Sequence, residues 1–384
     1  MHDCHREITR WMEALGACVR IDAAGNFRGV YPAVQPNAPR LLIGSHLDTV
    51  PNAGAYDGVL GVVLGIALLQ NLQRRRLPFG IEVVGFSEEE GVRFGTPFIG
   101  SRALVGSLHQ GLLGVQDAQG ISLREAIENF GLNPEEILQA ELENDTLGYV
   151  EFHIEQGPVL EALNQPLAAV EAIAGQSRLE FTFCGRTNHA GTTPMHLRRD
   201  AVAGAAEWIG TVERAAQAVP GLVATVGKIE AKPGAANVIA SEARLTLDVR
   251  HSSDDIRTHA AGELICEAQR IAARRGLSVR ENTLLNQQAV TMDPFLVGEI
   301  ERAILKTGCE PHRMVSGAGH DAMILAEKVP AAMIFLRTPG GISHDPAESV
   351  AVEDVEKAIE CGLHLLDQLA ASPEFQKKPN FKQG

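Results

Sequence analysis

Leu41-Leu42-Ile43-Gly44-Ser45-His46-Leu47-Asp48 is an apolar run that stops at a glycine and passes at once into a histidine and an acid. Consecutive aliphatic residues with no polar alternation read as a strand buried on both faces, as a parallel sheet requires. The pattern recurs twice. Residues 81–86 form a second apolar run that ends in Ser87-Glu88-Glu89-Glu90-Gly91, and residues 331–336 form a third that leads to Gly341-Ile342-Ser343-His344-Asp345. Between the first two, the turn Tyr56-Asp57-Gly58 precedes a helix over residues 59–72, with Gly61 and Gly65 placed for close packing. Alternating strands and helices of this kind predict an α/β fold with a mixed, largely parallel sheet flanked by helices.

Upstream, Ile8, Trp11, Met12, Leu15 and Val19 fall near helical spacing, so residues 8–19 are expected to form an amphipathic helix. Asp22-Ala23-Ala24-Gly25-Asn26 reads as a turn into a short strand. From about residue 177 the texture changes. Residues 178–184, 222–229 and 243–249 alternate as half-exposed strands do, and residues 200–218 and 254–275 read as helices. That is the pattern of an α+β unit on an antiparallel sheet. The expected organisation is a first domain of residues 1–176 and 291–384, interrupted by an inserted domain of residues 177–290.

The 384 residues carry a formal net charge of -14, which disfavours a nucleic-acid partner because such binding needs a basic surface. The longest apolar stretch, residues 59–69, is too short and too glycine-rich for a membrane span. The first residues lack a basic flank before an apolar core, so no secretion signal is read there. Six cysteines lie scattered without a Cys-x-x-Cys pair, as reduced thiols of a cytoplasmic protein do.

In an open α/β sheet, ligands bind beyond the carboxyl ends of the strands. His46, Glu90 and His344 all follow apolar strands, which places them on one rim. Singly, a strand-end histidine is an ordinary hydrogen-bonded residue and an acidic run is a solvated loop. Together they form a set of imidazoles and carboxylates suited to zinc, manganese or similar ions. Asp57, in its glycine-flanked turn, is placed to bridge two ions, and Asp48 to orient His46 through the other ring nitrogen. Of the neighbouring Glu89 and Glu90, one can bind metal while the other moves a proton.

The runs Gly44-Ser-His-Leu-Asp-Thr-Val50, Ser87-Glu-Glu-Glu-Gly-Val-Arg-Phe94, His153-Ile-Glu-Gln-Gly-Pro-Val-Leu-Glu161, Asn188-His-Ala-Gly-Thr-Thr-Pro-Met195 and Ser316-Gly-Ala-Gly-His-Asp-Ala-Met323 resemble the hydantoinase/carbamoylase branch of the dinuclear-metal M20 peptidase superfamily. The resemblance implies a metallopeptidase-like catalytic domain with an inserted lid and dimerisation domain. It implies two divalent ions per subunit, zinc or manganese with cobalt or nickel as alternatives, held by His46, Asp57, Glu90, His153 and His344. Glu89 would be the general base. His189 would stabilise the oxyanion from the partner subunit of a homodimer. Asn237 and Arg250 would hold a substrate carboxylate, an arginine fork being suited to two parallel hydrogen bonds, with Gln156 and His320 lining the site. His153 stands where the peptidases carry a carboxylate, which marks the amidohydrolases. The implied reaction is hydrolysis of a ureido C–N bond in a small carboxylate, foremost allantoate. N-carbamoyl-L-amino acids, β-ureidopropionate and ureidoglycolate are the alternatives, and a non-catalytic metal-binding protein is the rival of another class. The usual N-terminal helix of the family is expected to be short or missing.

Overall fold

The computed structural model describes residues 1–373 and residue 375. The chain divides into two compact units, Met1–Glu171 with Met292–Gly384, and Ala172–Thr291. The first crossing falls before the strand Gly175–Cys184, which starts a few residues ahead of the alternation visible in the sequence.

The first unit is built on a sheet ordered Cys18–Ile21, Phe27–Tyr31, Gly80–Phe86, Arg40–His46, Thr146–Ile154, Ala331–Leu336 and Leu167–Ile173. The four central strands run parallel, and antiparallel strands flank them on both sides. Every residue of Gly80–Phe86, Thr146–Ile154 and Ala331–Leu336 is buried, which is why Ala331–Leu336 reads as an unbroken apolar run and Gly80–Phe86 as one broken only by Glu82, whereas Glu151 and His153 interrupt Thr146–Ile154. The register sets His46 beside Phe86, and His153 beside Phe335, so the carboxyl ends of all four parallel strands share one edge.

The helices Val59–Asn71, Pro294–Lys306 and Val352–Ala371 pack on this sheet. Val59–Asn71 is apolar almost all round and accordingly buried on most of its circumference. Its Gly61 lies so close to the strand below that a Cβ there would meet the Phe152 carbonyl oxygen at 2.1 Å.

The N-terminal helix differs from the expectation. It spans His2–Ala14, and Val19 belongs instead to the strand Cys18–Ile21. Gly16, at φ 84°, ends it: its N–H bonds the Glu13 carbonyl, and the Ala17 N–H reaches back to Met12. That pair of bonds is a Schellman stop. Ile8 and Met12 face the core, whereas Trp11 is 38% exposed.

In the second unit a β-α-β-β-α-β chain folds into an antiparallel sheet ordered Ser278–Gln287, Gly175–Cys184, Glu242–His251 and Val223–Lys232. Gly175–Cys184 and Glu242–His251 alternate buried and part-exposed residues along their length. The buried face packs Phe181, Phe183, Leu245 and Leu247 against Trp208 and Ile271 of the helices Ala201–Ala218 and Asp254–Arg274. Asp200 and Ser253 cap these helices by accepting backbone N–H bonds of their first turns. Among the described residues, no helix is long and apolar enough to cross a membrane.

Candidate metal centre

The common strand edge of the first unit gathers His46, Asp57, Glu89, Glu90, His153 and His344. Asp57 is the centre of the group. Its Oδ1 lies 3.1 Å from His153 Nε2 and 3.5 Å from His46 Nε2, while its Oδ2 lies 3.1 Å from His344 Nε2. The donor atoms of His46, Asp57 and His153 all fall within 4.8 Å of one another, and so do those of Asp57, Glu90 and His344. One carboxylate therefore serves two donor groups, one oxygen toward each.

Local structure explains this convergence. Gly58 turns the chain at φ 68° and leaves room for the His46 ring, which a Cβ there would meet at 2.4 Å. Asp57 is thus delivered immediately before the helix Val59–Asn71 and directly over His46. The two strand histidines are each aimed by a carbonyl behind them: His46 Nδ1 lies 2.8 Å from the Asp48 backbone oxygen, and His153 Nδ1 lies 2.8 Å from the Ile154 oxygen. With Nδ1 facing a carbonyl, Nε2 is the ring nitrogen turned toward the cluster.

Asp48 works differently from the expectation that its carboxylate orients His46. That carboxylate is 3.8 Å from His46 Nδ1 and instead accepts the backbone N–H groups of Glu89 and Glu90, at 3.0 and 3.1 Å. Two adjacent N–H donors at the end of a neighbouring strand outcompete one ring nitrogen already satisfied by a carbonyl. Asp48 therefore sets the backbone from which the two glutamates diverge.

Glu89 Oε2 sits 4.0 Å from His46 Nε2, and Glu90 Oε1 sits 3.9 Å from His344 Nε2. Burial pushes the Glu89 carboxyl well up, with His46 opposing and Asp321 adding to the shift. Burial acts on Asp57 in the same sense, but His153 and His46 override it and hold its carboxyl below the usual range. Among the described residues, the basic groups paired with Asp57, Glu89 and Glu90 are all histidines. Glu90 Oε1 is buried with no hydrogen-bond partner there, and so is Gln156 Oε1. Crowded carboxylates, imidazole nitrogens and an orphaned carboxylate oxygen fit divalent cations.

Gln156, at φ 58°, turns its amide into the same cluster and donates to Asp57 Oδ2 at 2.9 Å. His320 is only 1% exposed. Its ring stands edge-on to His153 at 4.5 Å and its Nε2 meets Ser316 Oγ at 2.8 Å. Burial holds His320 well below the usual histidine range, so it supports His153 from behind as a neutral ring.

His189, Asn237 and Arg250 belong to the second unit. The chain near His189 pairs with the chain near Asn237: His189 bridges Val238, and the Ala190 N–H bonds the Asn237 oxygen at 2.9 Å. Both side chains are exposed. His189 Nδ1 accepts the N–H groups of Gly191 and Thr192, leaving Nε2 to carry the proton. Arg250 lies on Glu242–His251, its fork donating to both oxygens of Asp248.

One residue that the motifs did not single out is Glu151. It is fully buried, accepts from Ser45 Oγ at 2.8 Å and from the Ala322 N–H at 2.9 Å, and so ties together the segments that carry His46, His153 and His320. The signal was available: a carboxylate in the middle of an otherwise buried strand is rarely there without partners.

Comparison with known proteins places this arrangement. The model of peptidase family M20/M25/M40 matches residues 42–368. The chain is 39% identical over 366 residues to the N-carbamoyl-L-amino acid amidohydrolase of Geobacillus stearothermophilus, covering 94% of this chain and 90% of that protein. It is also 39% identical over 399 residues to the allantoate deiminase of Arabidopsis thaliana, covering 94% and 75%. The crystal structure of a hydantoinase/carbamoylase-family amidase from Burkholderia multivorans superposes with a TM-score of 0.91 at 32% identity, covering 96% of this chain and 90% of that one. Parallel-sheet core, strand-end donors and these likenesses agree: the chain belongs to the peptidase family M20/M25/M40, in its hydantoinase/carbamoylase branch.

Proposed function

We propose that this hydrolase of C–N bonds cleaves the ureido group of a small carboxylate, allantoate first. The observation that carries the reading is Asp57 shared by two donor groups, with the buried carboxylate of Glu89 alongside. His46, Asp57 and His153 would hold one divalent ion, and Asp57, Glu90 and His344 the other. Zinc and manganese suit these donors, with cobalt and nickel as substitutes. A pair of ions bound there supplies Lewis acidity for the ureido oxygen and an acidified water.

The chain's own residues do the remainder. Glu89 takes a proton from the attacking water and later delivers it to the departing nitrogen. Asp48 holds the Glu89 backbone so that this carboxylate stays beside the cluster rather than turning into solvent. His189, with its proton on Nε2, donates to the oxygen that becomes negative on the substrate. Asn237 and the Arg250 fork receive the substrate carboxylate, and Gln156 positions the ureido end. The carbamate released breaks down to ammonia and carbon dioxide.

His189 acts from the partner subunit of a homodimer in this reading. The edge strand Val223–Lys232 supports dimerisation: all but two of its ten residues are exposed, Val223 and Ile229 among them. An uncovered edge strand of this length is a natural pairing surface. The second unit then also serves as a lid that closes over substrate.

A second substrate, N-carbamoyl-L-amino acid, is favoured by the Geobacillus relative, most of whose length this chain matches. The deciding experiment strips the protein with a chelator, reloads it with manganese or zinc, and follows ammonia release from allantoate and from N-carbamoyl amino acids. Faster turnover of allantoate sustains the first reading. Turnover confined to carbamoyl amino acids replaces it with the second, and turnover of neither by a metal-loaded protein removes both.

A further inference from the structure

Glu348 is a carboxylate only 5% exposed, and among the described residues it has no ion-pair partner. Its Oε1 instead accepts two successive backbone N–H groups, from Tyr56 at 3.0 Å and from Asp57 at 3.1 Å. Its Oε2 takes Ser343 Oγ at 3.3 Å, and the same hydroxyl lies 3.4 Å from Asp57 Oδ2. One buried side chain thus grips the backbone of the shared aspartate and, through Ser343, the loop carrying His344. Gly54 makes room for it: a Cβ at residue 54 would lie 2.4 Å from Glu348 Cβ.

Burying a carboxylate is costly unless hydrogen bonds satisfy it. Glu348 therefore stays buried because it has these N–H partners, and they in turn are fixed by it. Both segments need that help. The turn at residues 54–58 lies in no strand or helix, and His344 sits at φ 57° in a loop and is the most exposed of the five donors. His46 and His153, by contrast, belong to strands of the sheet.

We propose that Glu348 is a positioning residue of the metal centre, latching the Asp57 turn to the His344 loop so that Asp57 presents one oxygen to each donor group. This rests on the two-metal reading above. The inference predicts a specific order among variants. In Glu348→Ala both grips are lost. Glu348→Asp keeps the charge but falls short of the Tyr56 and Asp57 N–H groups. Glu348→Gln keeps an acceptor oxygen at full reach and can donate its amide to Ser343.

The test titrates Co2+ into chelator-stripped wild type and variants, reading stoichiometry, affinity and visible absorption, alongside kcat and KM. Wild type is expected to take up two equivalents. Glu348→Ala and Glu348→Asp should bind the more weakly held equivalent about 10–100-fold less tightly, with altered absorption and a matching drop in kcat at near-constant KM. Glu348→Gln should remain within about fivefold of wild type. Asp200, which accepts the Val202 and Ala203 N–H groups in the second unit, is the control. Asp200→Ala should lower the melting temperature and leave Co2+ binding unchanged.

Normal two-equivalent binding and kcat in Glu348→Ala and Glu348→Asp would overturn the latch and leave the two-metal reading standing. So would a Glu348→Gln protein as impaired as the other two, since charge rather than reach would then govern. Should Glu348→Ala fail to fold, the Asp and Gln pair still decides. A wild-type protein that takes up no Co2+ would overturn the two-metal reading, and the latch with it.

Discussion

The two units hold their proposed functional residues in opposite ways. In the first, His46, Asp57, Glu89 and His153 are all buried, and each is fixed by bonds from residues distant in the chain or by the sheet itself. In the second, His189 and Asn237 are exposed, placed by a short backbone bridge, and Arg250 is occupied by its near neighbour Asp248. A cluster of like charges that must bind cations needs rigid geometry before the cation arrives, because repulsion would otherwise spread the carboxylates. Residues proposed to meet a substrate from a lid need exposure in the free protein. Pre-organisation and accessibility are thus divided between two sheets of different kind.

The largest effect should come from the buried side. Glu89→Gln removes the proton carrier without changing size, and kcat should fall by about 10³–10⁴-fold while two metal equivalents remain bound. Turnover and metal analysis on the same sample check it. Loss of metal along with activity would mean that Glu89 is a ligand, and the division of labour between Glu89 and Glu90 would fall.

The exposed side is tested next. His189→Ala should lower kcat by about 10²–10³-fold, as removal of an oxyanion donor does. Because His189 is proposed to act on the partner's substrate, mixing inactive Glu89→Gln with inactive His189→Ala protein should restore part of the activity, in dimers where one site has both intact groups. No recovery after verified subunit exchange would place His189 in its own subunit's site.

These two variants also mark what the sequence made legible. The parallel sheet was readable because strands buried on both faces leave unbroken apolar runs, and 331–336 was located to the residue. Three candidate donors, His46, Glu90 and His344, were readable because they stand at or beyond the ends of those runs; Asp57 was read from its glycine-flanked turn, and His153, inside the strand Thr146–Ile154, came only with the family resemblance. What could not be read were the long-range grips. Asp48 lies two residues from His46, and proximity in sequence suggested that its carboxylate orients that ring; the structure sends it to Glu89 and Glu90 on the adjacent strand. Glu348 reaches a turn 291 residues away, a pairing no local pattern encodes. The helix stop at Gly16 was the opposite case: the glycine was visible, but the apolar spacing of Leu15 and Val19 pointed past it.

A smaller effect is expected at Arg250. Arg250→Ala should raise KM for a carboxylate substrate about 10–100-fold with kcat changed only a few-fold, the loss of one charged hydrogen-bond pair being worth about 1.5–3 kcal/mol. Arg250→Lys should recover little, since a point charge does not reproduce the fork. Unchanged KM in Arg250→Ala would remove the arginine from the substrate site and leave it a structural partner of Asp248.

The smallest effect concerns a buried histidine from each unit. His251, in the second, has a partner on each ring nitrogen, the Pro220 oxygen and the Ser253 N–H. His5, in the first, is buried beside Phe27 and Phe130, and among the described residues neither of its ring nitrogens has a partner. Burial, with the Met1 amino group and then His2 adding to it, lowers His5 to about 4 from an ordinary value of 6.5. The folded state therefore binds the His5 proton less readily than the unfolded chain. Its contribution to stability is complete above pH 6.5 and is lost as pH falls toward 4. His5→Phe keeps a ring of similar size with no proton to take up. Relative to this variant, wild type should lose about 1–2 kcal/mol between pH 7 and pH 4.5, a figure already reduced for partial screening by solvent. His251→Phe should instead destabilise at both pH values, because it strands the Ser253 N–H and the Pro220 oxygen whatever the proton concentration. Urea unfolding of the three proteins at the two pH values separates these outcomes, and parallel pH slopes for wild type and His5→Phe would remove His5 as an acid-sensitive element of the first unit.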